Sequence, residues 1–202
     1  LQSIGANAFA GCEKLSGDIA FGRMITRIGA SAFAGCKSLN AVTMPRAIQQ
    51  LGDAAFMDCS GLTGSISFPE SLIDLGKGAF YGCSGIESFE IPASVKQIKA
   101  ATFANCTGLK AITLHAEDPI EADATAFAGI DCSKVALNVP EGSENKYAEA
   151  DVWKNFDIHT FTTAIQNASA SNAEATLSIE NGVLKINNIP ANTAIEVFNV
   201  KG

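Results

Sequence analysis

Phenylalanine returns on a fixed beat along the chain: Phe9, Phe33, Phe56, Phe80, Phe103 and Phe127, at intervals of 24, 23, 24, 23 and 24 residues. Ala precedes each of them except Phe103, which follows Thr102. Three residues after each of the first five stands Cys12, Cys36, Cys59, Cys83 or Cys106, and the sixth unit has Ile130 there. Three further on comes Leu15, Leu39, Leu62, Ile86 or Leu109. Such concordance leaves one class of solution. A unit of about 23 residues buries too little surface to fold alone, so equivalent apolar positions must stack into one continuous core.

Within a unit, short stretches alternate: Val42-Thr43-Met44-Pro45, Ile66-Ser67-Phe68-Pro69, Phe89-Glu90-Ile91-Pro92 and Ile112-Thr113-Leu114. That pattern predicts a short parallel strand per unit. Pro, which has no N–H to donate, ends the ladder. A second apolar pair (Ile25/Ile28, Ile48/Leu51, Leu72/Leu75, Val95/Ile98) predicts an extended or turn segment on the opposite side. The Ala-Phe-x-x-Cys piece is expected to form one short helical turn, with Phe and Cys on one face. Gly17 and Gly64 lie in units with one extra residue before the strand, which predicts a bulge at each.

After Leu137-Asn138-Val139-Pro140, a last strand-like unit, the spacing changes. Tyr147, Ala150, Trp153 and Phe156 recur every three residues, as on one face of a helical segment. Ser143 is the expected N-cap, and Trp153 the cover of an open solenoid end. The solenoid therefore spans 1–159, with its cap over about 140–159. Small polar residues over 160–175 read as a linker. Leu177-Ser178-Ile179, Asn181-Gly182 and Val183-Leu184-Lys185-Ile186 then predict a hairpin. With the run over 194–200 they make a small, partial β module at 176–202. The chain opens inside a unit, without an initiating Met or a signal peptide, so further repeats are expected before Leu1.

The core Ile28-Gly29-Ala30-Ser31-Ala32-Phe33-Ala34-Gly35-Cys36-Lys37-Ser38-Leu39, with a strand ending in Pro, resembles the BspA-like (Treponema-type) leucine-rich repeat. The resemblance covers residues 1 to about 140. Gly22, His115 and Ile130 depart from it, standing where Pro, Pro and Cys are usual. The Val139-Pro140-x-Gly142-Ser143 tail, with its Tyr, Trp and Phe, looks like the close of such domains. Residues 181–186 and 197–202 are similar to the first half of the C-terminal sorting domain of Bacteroidetes secretion. The resemblance implies a leucine-rich repeat solenoid on a secreted or cell-surface bacterial protein. It implies adhesion or protein binding, including to host or neighbouring-cell proteins; a spacer holding another domain away from the cell is the alternative.

Composition narrows the function. At 47% hydrophobic and 17% charged residues, the chain is too apolar to be disordered. No apolar run approaches the length of a membrane span. A net charge of −7 argues against nucleic acid as partner. Neither Gly-x-Ser-x-Gly, a Walker-type loop nor His-Glu-x-x-His is present, and no catalytic residue, cofactor or metal ligand is assigned. His115 and His159 are expected in loops or on the surface. Five Cys share one slot, and a parallel column holds their Cβ atoms about 4.8 Å apart, too far for a bridge. They read as small buried fillers, with Cys132 as the odd thiol. Glu117, Asp118, Glu121 and Asp123 lack the spacing of a calcium loop. Asn105-Cys106-Thr107 and Asn167-Ala168-Ser169 match the glycosylation sequon, which bacterial export makes moot.

The candidate protein-binding face is the outward side of the strands: Asp18, Ala41, Thr43, Ser65, Ser67, Ser88, Glu90, Ala111 and Thr113, continued by Ala20, Ala136 and Asn138. It is small, polar and nearly free of charge.

Overall fold

Each repeat closes into a coil because its apolar slots point inward from two short extended segments. The structure is a computed structural model that describes residues 1–161, 176–180 and 183–187. The chain divides into two units, Leu1–Thr163 and Ala164–Gly202. Along the first unit run β1 (Ser3–Ile4), β2 (Gly17–Ala20), β3 (Arg27–Ile28), β4 (Leu39–Thr43), β5 (Gln50–Leu51), β6 (Gly64–Ser67) and β7 (Asp74–Leu75). Then follow β8 (Ile86–Ile91), β9 (Gln97–Ile98), β10 (Ala111–Leu114), β11 (Glu121–Ala122), β12 (Ala136–Pro140) and β13 (Asp157–Phe161). All pairings are parallel, between one coil and the next. The two-residue strands line one side, in the orders β1-β3-β5-β7 and β9-β11. The longer ones line the other, as β2-β4 and β6-β8-β10-β12-β13. This is a parallel β-solenoid of about seven coils, as the repeat requires.

The Phe slot stacks as a column. Ring centroids are 5.0 Å apart for Phe9–Phe33, 5.2 Å for Phe33–Phe56 and 5.4 Å for Phe56–Phe80, with nearly parallel planes. The expected bulges occur at Gly17 and Gly64, where the register shifts and φ is +88° and +73°.

The expected helical turn at Ala-Phe-x-x-Cys does not form. The residues two before and two after Phe take positive φ instead: Asn7 and Gly11, Ser31 and Gly35, Ala54 and Asp58, Gly78 and Gly82, Ala101 and Asn105. Alternate N–H groups therefore point to opposite partners. Those of Asn7, Phe9 and Gly11 donate to Ala30, Ala32 and Ala34 of the next coil at 2.9, 2.7 and 2.7 Å. Those of Ala8, Ala10 and Cys12 fold back three residues, to Gly5, Asn7 and Phe9. A helical turn would send every N–H along its own axis and leave no bonds for stacking.

The thiols are more than fillers. Cys36, Cys59, Cys83 and Cys106 are buried and unbridged. Their Sγ–H groups donate to the carbonyls of Phe9, Phe33, Phe56 and Phe80 in the preceding coil, at 3.0–3.1 Å. Burial pushes the Cys59 and Cys106 thiols up to about 12, and Cys83 well above its ordinary value.

One side of the stack opens between the fourth and fifth coils. Gly29, Gly52 and Gly76 share a slot with no room for a Cβ. On Gly29 it would lie 2.5 Å from the Ala6 nitrogen, and on the other two it would meet the previous coil's backbone still closer. Their N–H groups donate to Ile4, Ile28 and Leu51 at 2.8–2.9 Å. Lys99 takes this slot in the fifth coil and Asp123 in the sixth, where Asp123 N–H still donates to Ile98 O at 2.9 Å. The bond from Lys99 N–H to Leu75 is missing, and β9 starts a new sheet. Phe80 and Phe103 lie 6.2 Å apart. Thr102, which replaces Ala, is buried beside the break and directs its hydroxyl to Lys99 O at 2.8 Å and Gly76 O at 3.3 Å. The Lys99 ammonium pairs with Asp74.

The cap covers the last coil with α1 (Glu144–Glu149) and a 3₁₀ turn at Trp153–Asn155. Trp153 Nε1 donates to Ile120 O at 2.6 Å, and Tyr147 Oη to Ala116 O at 2.9 Å and Asp118 O at 3.1 Å. Ser143 precedes α1 but makes no side-chain cap bond: its backbone is already helical (φ −97°, ψ −12°), not in the extended conformation that aims a cap hydroxyl at the helix N–H groups. Thr160 and Phe161, expected in the linker, instead pair with Val139 and Pro140. The polar residue types there hid an edge strand whose backbone is held by β12. Residues 162–175 of that linker lie outside the described residues.

In the second unit β14 (Thr176–Glu180) and β15 (Val183–Asn187) pair antiparallel, from Glu180↔Val183 to Thr176↔Asn187. The expected third run at 194–200 lies outside the described residues.

Candidate protein-binding face

Alternation within the longer strands sends every second side chain outward, and the parallel register aligns them coil by coil. One column runs Ser65, Ser88, Ala111, Ala136 and Asp157; the other runs Ser67, Glu90, Thr113, Asn138 and His159. Asp18 and Ala20 pair with Ala41 and Thr43 in the separate two-strand sheet. The nine sequence-derived residues are thus brought onto one side, all partly or fully exposed and six of them in the two columns, but the ladder is interrupted between β4 and β6. Thr63 bridges that gap through its N–H to Asn40 O, at 3.0 Å.

The outward groups bond along the columns. Ser88 Oγ donates to Ser65 Oγ at 2.6 Å, Ser67 Oγ to Glu90 Oε2 at 2.8 Å, and Asn138 Nδ2 to Thr113 Oγ1 at 3.3 Å. Glu90 Oε1 also meets His115 Nε2 at 2.9 Å. These exposed pairs contribute about 0.2–1 kcal/mol each; they hold side chains in place more than they hold the fold.

The sequence reading missed three members. His115 stands in the slot taken by Pro45, Pro69 and Pro92, and its ring lies edge-on to Phe161 at 5.4 Å. Asp157 and His159 extend the columns, with His159 Nε2 at 3.0 Å from Asp157 Oδ2. The alternation Asp157-Ile158-His159 was the available signal; without the Pro that ends other strands it is easily taken for loop.

The acidic run is dispersed. Asp118 pairs with Lys146 at 2.7 Å, which holds its carboxyl below the usual range. Asp123 Oδ1 accepts the hydroxyl and N–H of Thr125, with the same effect. Among the described residues no group of three or more His, Cys, Asp and Glu is placed to hold a metal ion. None of their helices is long and apolar enough to cross a membrane.

Stacked coils, a buried Phe column and an outward strand face define a leucine-rich repeat protein. The BspA type leucine rich repeat region matches in six copies over residues 1–110 and 74–192, so the chain belongs to that family. No curated protein sequence matches significantly. Among solved structures, the pneumococcal vaccine antigen PcpA shares the fold with a TM-score of 0.62 and 15% identity, over 82% of this chain and 42% of that one. A T. pallidum leucine-rich repeat protein matches at TM-score 0.44 and 24% identity, over 55% of this chain and 62% of that one. A Bacteroides ovatus leucine-rich repeat protein matches at 0.43 and 19%, over 79% and 55%. The chain thus spans under half the length of the pneumococcal antigen.

Proposed function

We propose that this chain is a non-catalytic binding module of an exported or cell-surface bacterial protein, and that it contacts protein partners through the strand face. The observation that carries the reading is the pair of outward columns over β6–β13, in unbroken register and pre-ordered by their own hydrogen bonds. Small Ser, Thr and Ala side chains lose little rotamer freedom when covered, so a broad surface of this kind binds without strong anchors. The family membership and the fold shared with a pneumococcal vaccine antigen support the same reading; adhesion to host or neighbouring-cell proteins is its most specific form.

The test is an array of extracellular matrix proteins and glycans probed with the intact chain. A Ser88→Lys/Thr113→Lys variant is expected to lose at least tenfold in affinity for whatever protein is bound. Unchanged binding by a variant that folds normally would sink the strand-face assignment. Binding that is absent throughout favours the spacer reading.

A further inference from the structure

The chain has three arginines, Arg23, Arg27 and Arg46, and all lie within two consecutive coils. Through residue 52 five cationic side chains face two acidic ones, whereas the rest of the chain has nine against nineteen. The net acidity of the whole molecule therefore hides a basic end region. Arg23 and Arg46 occupy one slot, each three residues beyond its strand, β2 or β4. The turns around them share a bond, from Ile25 N–H to Gly22 O at 3.1 Å and from Ile48 N–H to Pro45 O at 3.0 Å. Arg27 opens β3, beside Gln50 of the next coil.

All three arginines are exposed, and none of their guanidinium groups has a partner among the described residues. Of the nine lysines in the first unit, six (Lys37, Lys99, Lys110, Lys134, Lys146 and Lys154) pair with a carboxylate, while Lys14, Lys77 and Lys96 do not. Stacking Arg23 over Arg46 places like charges about one coil spacing apart, with Glu70 only in the following coil. Between Arg23 and Arg27 projects Met24, 65% exposed.

We infer that this edge, formed by Arg23, Met24, Arg27 and Arg46, is a second docking surface, and that it takes an acidic, partly apolar segment of a partner protein. Guanidinium forks suit carboxylates, and three uncompensated ones define an anion-complementary patch. The exposed thioether decides the class of partner. Met packs adaptably against apolar side chains, which an acidic peptide offers and a sulfated or uronic glycan does not. The acidic excess of the later coils steers an anionic segment toward this edge. The surface lies beside the strand face and does not depend on it.

The probe is a labelled peptide of three Glu-Glu-Leu-Glu repeats, with a Gln-Gln-Leu-Gln version as control, followed by fluorescence anisotropy on the full chain. The acidic peptide is expected to bind and the control not, with affinity falling about tenfold between 50 and 200 mM salt. Replacing the three arginines together (R23Q, R27Q and R46Q) should lower affinity at least tenfold while circular dichroism and melting stay unchanged. Met24→Ser should weaken the peptide several-fold and leave heparin binding as it was. Ser88→Lys/Thr113→Lys should leave the peptide affinity unaltered, which separates this edge from the strand face. Absence of peptide binding, or binding indifferent to the arginines, overturns the proposal. So does heparin binding more tightly than the peptide, or salt-sensitive self-association that the arginine changes abolish.

Discussion

A slot in this solenoid fixes what a residue does more firmly than its chemical type does. Phe56 has a stacked ring on each side and no exposed surface. Phe56→Ala should cost about 3–5 kcal/mol in chemical denaturation. Phe9 fills the same slot in the first coil but is 41% exposed, so Phe9→Ala should cost clearly less. Equal losses would refute the column as the source of stability. The Cys slot yields a pH prediction. Desolvation raises the folded-state thiols of Cys59 and Cys106 to about 12 from an ordinary 9.0. Between those values the unfolded chain has lost protons that the folded one keeps, so stability is full below about 9 and falls as pH rises. Each such thiol removes up to about 1.4 kcal/mol per pH unit across that window. A Cys59→Ala/Cys106→Ala variant should be less stable at neutral pH and lose stability less steeply above pH 9. Parallel alkaline slopes would overturn the thiol assignment.

At the level of the element, one glycine slot lets the backbones of the first four short strands approach closely. The ladder breaks at Lys99, the first non-glycine residue in that slot, but Asp123 in the sixth coil also carries a Cβ and still bonds to Ile98 O at 2.9 Å, so the Cβ is tested directly by removing it. Lys99→Gly is expected to slow amide exchange over 96–99 as the missing bonds to the fourth coil form. Gly76→Ala should do the reverse, with a loss of about 1–3 kcal/mol from overpacking against Gly52. Unaltered exchange in the Lys99 variant would mean the gap has another cause. The turns teach a related lesson. Ala54, Asp58 and Asn105 adopt positive φ without being glycine, because two left-handed residues per turn are needed to aim alternate N–H groups at the neighbouring coil. The energetic penalty at each is offset by a bond that stacking alone provides.

For the whole molecule, stability propagates from coil to coil, so the closed end matters. Trp153 packs edge-on against Phe127 at 5.5 Å and donates to Ile120, which terminates the Phe column. Trp153→Ala should cost about 3–5 kcal/mol and expose the sixth coil to exchange first, while coils two to four stay protected. Uniform loss of protection would instead show one cooperative block. The repeat, its inward slots, the Gly17 and Gly64 bulges and the Trp cap were legible in the sequence, because fixed residue types at fixed spacing report which side chains share a column. Period alone also laid out most of the strand face, since alternation and stacking are both local rules. Tertiary structure decided the rest. Whether a turn is helical, where a ladder breaks, that Asp157 and His159 extend a strand, and that three arginines share an edge all depend on where one coil's backbone lies against the next. Two coils are separated by 23 or 24 residues in sequence and by a few ångströms in space. Steric exclusion of a single Cβ or the direction of a single N–H operates only across that second distance.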